Sequence, residues 1–280
     1  MPLFFFLSGV LYKFSENLSY KEKVFKTIKS VMIPYFSVAF ISPFLQYAIS
    51  GIEIPLGDVV LMIIEGRQNQ LDFNAPLWFL PTLFCVEILY YFLHKLISKP
   101  YIVFCLLTIG IFAHAFLNNP KWLWGCDSAL YYILFYALGD LYSKYFNKSI
   151  VVHYLQIVSA FVAVLVFSHV SFWTEKYLAL CESNINCVYK SAVDVFAAIV
   201  GIFGIVGLSK MRLNPVVSRI GQCSLSIMCF HVIILRMIVN VFQAFGVEIN
   251  QFSFSYSLFA TACTIIVIAW VKSYTIKMLG

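Results

Sequence analysis

Charge is scarce in this sequence. Asp, Glu, Lys and Arg make up 11% of its residues, against roughly 25% in water-soluble globular chains. That scarcity excludes an ordinary soluble fold, because 61% hydrophobic residues leave too little polar surface to cover the apolar mass. Internal repeats, low-complexity tracts and any hydrophilic stretch long enough for a second soluble domain are also missing. No CxxC occurs and no His/Cys cluster has zinc spacing, so no metal site is expected. P-loops and dinucleotide fingerprints are missing too. The eight cysteines are no disulfide scaffold. Cys85, Cys105, Cys126, Cys223, Cys229 and Cys263 lie in or at the ends of apolar runs, where small polarisable residues pack well. Cys181 and Cys187 share one loop, where a bridge and two free thiols both stand open.

What is abundant is apolar length. Crossing a hydrocarbon core of ~30 Å takes about 20 helical residues. Runs of that kind fall at about 31–50, 76–97, 100–118, 126–146, 151–170, 191–208, 220–243 and 254–271, after a shorter opening piece, MPLFFFLSGVLY. The expected fold class is all-α: a polytopic transmembrane helical bundle with nine hydrophobic segments, residues 1–280 forming one membrane-embedded domain. Fourteen of the nineteen basic residues sit in alternate loops, among them Lys13, Lys21, Lys23, Lys26, Lys29, Lys95 and Lys144. Eight of the thirteen acids fall in the other loops. The net charge of +6 therefore reads as topology and not as nucleic-acid binding, with the C-terminus cytoplasmic and the N-terminus outside. The opening piece is too short to cross and has no leader to carry it outward. We therefore expect a preceding span, and ten helices in the full fold.

Four segments carry a resemblance. MPLFFFLSG (Met1 to Gly9), the basic loop KEKVFKTIKSVMIPYF, PLWFLPTLF (Pro76 to Phe84) and IGQCSLSIMCFH (Ile220 to His231) resemble, in order, motifs of the acyltransferase-3 family of integral membrane acyltransferases, particularly its fucose 4-O-acetylase-like branch. The resemblance implies a multi-pass protein of a bacterial inner or plasma membrane. It implies transfer of an acyl group, usually acetyl, from cytosolic acetyl-CoA or another acyl-CoA to a hydroxyl of a sugar in a cell-surface or lipid-linked glycan. It also implies that the main family histidine lies in a first helix preceding Met1, so that the 280-residue form is expected to be inactive. Where the family often has an arginine pair in the first basic loop, this chain has Lys26 and Lys29 at the same i, i+3 separation. They keep charge for the donor's phosphates but lose the bidentate fork.

Other candidate positions follow from burial cost. His231 is the histidine well inside a span, with Ser224 seven residues earlier on the same face; a buried imidazole can take a proton from a hydroxyl, or simply bond between helices. Glu87 and Arg236 lie nearest mid-membrane, where each needs a partner or water. They are expected to pair with one another or to line an acceptor cavity. Trp78 opens a span on the outer side, as an interfacial aromatic or a stacking platform for a sugar ring. Ser8 and Gly9 suit close helix packing beside the expected preceding helix. Asp140 and Asp194, near span ends, read as structural. Two further functions fit the composition: a transporter or flippase for a glycan or lipid precursor, and an inactive truncated family member.

Overall fold

The computed structural model describes residues 1–51, 53–67, 70–97, 99, 101, 103–105, 107–108, 122–146, 158–159, 162, 184–209, 221, 224–245, 262 and 266. Among these the chain is predominantly helical, with no strand. Three helical stretches are long and apolar enough to cross a membrane: Tyr20–Ser50, Ala75–Leu96 and Ser224–Gln243. The spans expected at 100–118, 151–170 and 254–271 lie largely outside the described residues, as do Cys181, Lys148 and the histidines at 114, 153 and 169.

The chain divides into two compact units, each assembled from segments distant in sequence. The first comprises Met1–Ser30 and Thr82–Arg212. It opens with α1 (Pro2–Val10), started by a proline whose missing N–H costs nothing at a helix N-terminus. The loop helix α2 (Tyr20–Thr27) follows a capping box in which Ser19 and Glu22 satisfy each other's backbone N–H. Next come α5 (Phe79–Leu96), α6 (Cys126–Leu141) and α7 (Asn184–Ser209), α5 crossing the unit boundary within its first turn. Helix α7 starts earlier than hydropathy suggested, which puts Cys187 in helix and not in a loop.

Glycine sets the core of this unit. A Cβ on Gly9 of α1 would overlap the Tyr136 carbonyl of α6, and a Cβ on Gly139 of α6 would overlap the Phe6 carbonyl of α1. Small residues facing each other let two backbones touch, and such close van der Waals packing helps drive helices together in lipid. Around that contact Phe5 stacks on Tyr132 at 4.4 Å, and Phe6 packs against Tyr142 and Phe203. Gly9 is thus a close-packing position, and its partner among the described residues is α6, a helix the sequence reading did not pair with it.

The second unit comprises Val31–Pro81 and Leu213–Gly280. Its helices are α3 (Ile33–Ser50), α4 (Leu56–Glu65) and α8 (Ser224–Ala244). A π-helical turn, Ile28–Met32, precedes α3. Pro34 has no N–H to offer the turn before it, and widening that turn relieves the clash of its ring. Helix α4 lies where hydropathy gave only an outer loop. It begins after Pro55, ends at Gly66 in the left-handed region (φ 54°), and buries Val59 and Ile63 four residues apart. Tyr35 of α3 donates to the Ile63 carbonyl at 2.7 Å. Phe40, Ile41 and Phe44 on α3, and Met237 and Val241 on α8, are exposed, an apolar face suited to lipid and not to water.

Candidate functional site

Loop helix α2 carries an ammonium that the loop reading left at the surface. Lys23 and Thr27 are four residues apart and both buried, while Lys21, Lys26 and Lys29 are exposed. Lys23 Nζ lies 2.6 Å from Glu87 Oε2 of α5, and Thr27 Oγ1 donates to the same oxygen at 3.0 Å. The Lys23 side chain is 3% exposed and that of Glu87 16%. Two charges this far from water persist only because each neutralises the other. Tyr91, one turn on along α5, donates to the Leu18 carbonyl at 2.7 Å, and Phe92 packs on Tyr20. One face of α5 therefore holds the basic loop helix in place.

Beside the ion pair is a cavity of about 260 Å³, lined among others by Ser8, Ser15, Lys23, Lys26, Glu87 and Tyr136. Glu87 makes both of its hydrogen bonds through Oε2, leaving Oε1 with no partner among the described residues. The lining thus combines an exposed cation, Lys26, with a fixed carboxylate and several hydroxyls. Such a mixture suits a ligand with an anionic end and a neutral, hydrogen-bond-donating body. Lys29 lies in the π turn, exposed and outside this lining.

The structure therefore separates the expected site residues. Glu87 pairs with Lys23, so the expected pairing with Arg236 is corrected. Arg236, in the second unit, donates from Nη1 to Gln46 Oε1 at 2.8 Å and to the Phe73 carbonyl at 3.1 Å, and from Nη2 to the Asp72 carbonyl at 2.8 Å. Asn74 adds bonds to Ser42 Oγ (3.1 Å) and the Cys229 carbonyl (2.7 Å). Together they clamp the turn that leads into the short 3₁₀ helix Ala75–Trp78. Trp78 is 6% exposed and offers little indole face to a sugar ring. His231 places Nδ1 at 3.0 Å and 2.8 Å from the Ile227 and Met228 carbonyls of its own helix. Carbonyls only accept, so Nδ1 carries the proton, and in the neutral ring Nε2 keeps a lone pair.

A second charged cluster in the first unit escaped the sequence reading. Lys144 Nζ lies 3.0 Å from Glu16, 3.1 Å from Asp140 and 3.2 Å from His94 Nε2, and Tyr90 donates to Asp140 at 2.7 Å. An ammonium only donates, so His94 accepts through Nε2 and is neutral. The i, i+4 spacing of Asp140 and Lys144 was the visible signal; His94 and Glu16 are too distant in sequence to be connected to it.

No curated protein and no solved structure matches the chain. Residues 1–273 match the acyltransferase domain of the acyltransferase-3 family. A basic helix held against an apolar one beside a polar cavity, in a chain of membrane-length helices, agrees with that match. The chain belongs to the acyltransferase-3 family and is a membrane acyltransferase.

Proposed function

We propose that this protein transfers an acyl group, acetyl in the first instance, from acyl-CoA to a hydroxyl of a sugar in a cell-surface or lipid-linked glycan. The observation that carries this reading is the cavity beside α2, where the exposed Lys26 stands next to the fixed Glu87 carboxylate. In this reading Lys26 and Lys29 attract the donor's phosphates. Glu87 accepts from the neutral arm of the donor through Oε1. Glu87 thereby moves from the acceptor to the donor side of the reaction, and the basic loop faces the cytosol. His231 takes the proton from the acceptor hydroxyl through Nε2, while Arg236 and Trp78 shape the segment before α5 through packing.

Equilibrium binding of radiolabelled acetyl-CoA to the chain in lipid nanodiscs tests the donor site without requiring the acceptor. Charge-assisted contacts are each worth about 1.5–3 kcal/mol when well formed, so Lys26→Gln with Lys29→Gln is expected to weaken binding by about a hundredfold or more. Lys13→Gln with Lys21→Gln removes the same charge from exposed positions and is expected to leave affinity within about twofold, since surface charge at a distance is screened. Equal effects of the two pairs, or no saturable binding by the wild type, would sink the donor-site assignment.

A further inference from the structure

Six cysteines read from the sequence as apolar packing residues include two that the fold brings together. Cys85 lies in α5 and Cys126 opens α6, forty-one positions later, with their Sγ atoms 3.4 Å apart. A disulfide needs about 2.05 Å, so each sulfur has less than 1 Å to travel. Cys85 is buried and Cys126 half-exposed.

The approach is built by the turn before α6. Trp124 has φ 56° and ψ 24°, and is the one described non-glycine residue in the left-handed region; Gly125 follows at φ 62°. A tryptophan holds that conformation only where its surroundings enforce it, and here two contacts and one steric limit do so. Thr82 Oγ1 donates to the Trp124 carbonyl at 3.4 Å, the Phe84 ring meets the indole edge-on at 5.8 Å, and a Cβ on Gly125 would overlap Thr82 Oγ1. The strained turn is seated on residues 82–85 of α5, and the next residue in the chain is Cys126. The two thiols meet because the backbone is fixed there.

We propose that Cys85 and Cys126 are a disulfide site, a reversible covalent staple between α5 and the start of α6, formed by exchange with a protein or small-molecule disulfide. The half-exposed Cys126 loses its proton and attacks the incoming disulfide, giving a mixed disulfide and releasing one thiolate. Cys85 then loses its proton and attacks Cys126 Sγ, releasing the second thiolate. Two electrons pass from the cysteine pair to the oxidant, and the two protons go with them to make two thiols. The staple is independent of the acyl-transfer reading.

The test uses the full chain in membranes, treated with oxidised glutathione, alkylated with N-ethylmaleimide, digested and mapped by mass spectrometry. The expected result is one linked peptide pair joining Cys85 to Cys126, abolished by dithiothreitol and missing in Cys126→Ser. The linked wild type is also expected to melt several degrees above the reduced form, a shift that Cys85→Ser does not show. Recovery of Cys85 and Cys126 as separate alkylated peptides overturns the proposal. So does a glutathione adduct that stays on Cys126, or a link from either residue to another cysteine. Because the map is made on the wild-type chain, the outcome does not depend on either variant folding.

Discussion

Glu87 and Arg236 are both charges placed where charge is expensive, and the fold treats them in opposite ways. Glu87 meets a full countercharge, Lys23, on one of its oxygens and keeps the other uncommitted beside a cavity. Arg236 meets no carboxylate among the described residues; it spreads three hydrogen bonds over Gln46 and two backbone carbonyls. A guanidinium held by neutral acceptors fastens a turn. A carboxylate neutralised on one side and available on the other retains chemical capacity. The contrast teaches that mid-membrane charge by itself does not mark function; what matters is how much of the group the protein leaves unused.

The contrast can be broken most directly at the ion pair. Glu87→Ala strands the Lys23 ammonium at 3% exposure, and removing one partner of a buried pair is expected to cost about 3–5 kcal/mol, read as a fall in melting temperature in detergent. The double change Lys23→Met with Glu87→Leu is expected to recover most of that stability while acetyl-CoA binding is lost. Full binding by the double variant would reduce the pair to packing and erase the distinction from Arg236. A smaller effect is expected at the clamp. Arg236→Met gives up three bonds from a charged donor, worth about 2–3 kcal/mol in all once partial exposure is allowed for, with donor affinity of the folded protein unchanged. A tenfold change in that affinity would show that the clamp belongs to the donor site after all. The smallest effect on stability is expected at His231, whose bonds go to carbonyls of its own helix. His231→Phe should move stability by less than about 1 kcal/mol. CoA release, followed in membranes containing the native acceptor, should slow by about 10²–10⁴ if the ring is the base; an unchanged rate would remove it from the chemistry.

Much of the architecture was legible because hydropathy is a local property. The runs at 31–50, 76–97, 126–146 and 220–243 coincide within a few residues with α3, α5, α6 with its terminal turn, and α8. Helix α4 was missed although its punctuation was present: Pro55 before it, Gly66 after it, and apolar residues at helical spacing between. Its acidic ends, Asp58 and Glu65, made it look like an outer loop. The site was harder to read. Lys26 and Lys29 stood out by spacing, but Lys23 looked like one more topological lysine. Its partner lies 64 positions away, and nothing in a linear pattern connects the two. Thr27, one turn beyond Lys23, hinted that this face of α2 is buried. Cys85 and Cys126 were invisible for the same reason, since a strained turn at Trp124 brings them together and no pattern of residue types predicts that strain.

The facing glycines of α1 and α6 bear on how a survey of variants of this protein would read. At Gly9 and Gly139 a single methyl group already collides with a neighbouring carbonyl, and backbone cannot swing aside as a side chain can. A library covering every substitution should therefore find both positions blank, with alanine as poorly tolerated as leucine. The exposed lysines of α2, which lie nearer the proposed chemistry, should accept most replacements with only graded losses. Ranked by intolerance alone, such a map would put two residues that touch no ligand above the ones that do. Gly9 belongs to the segment that first suggested the family, and its place in that signature is explained by the space between two helices.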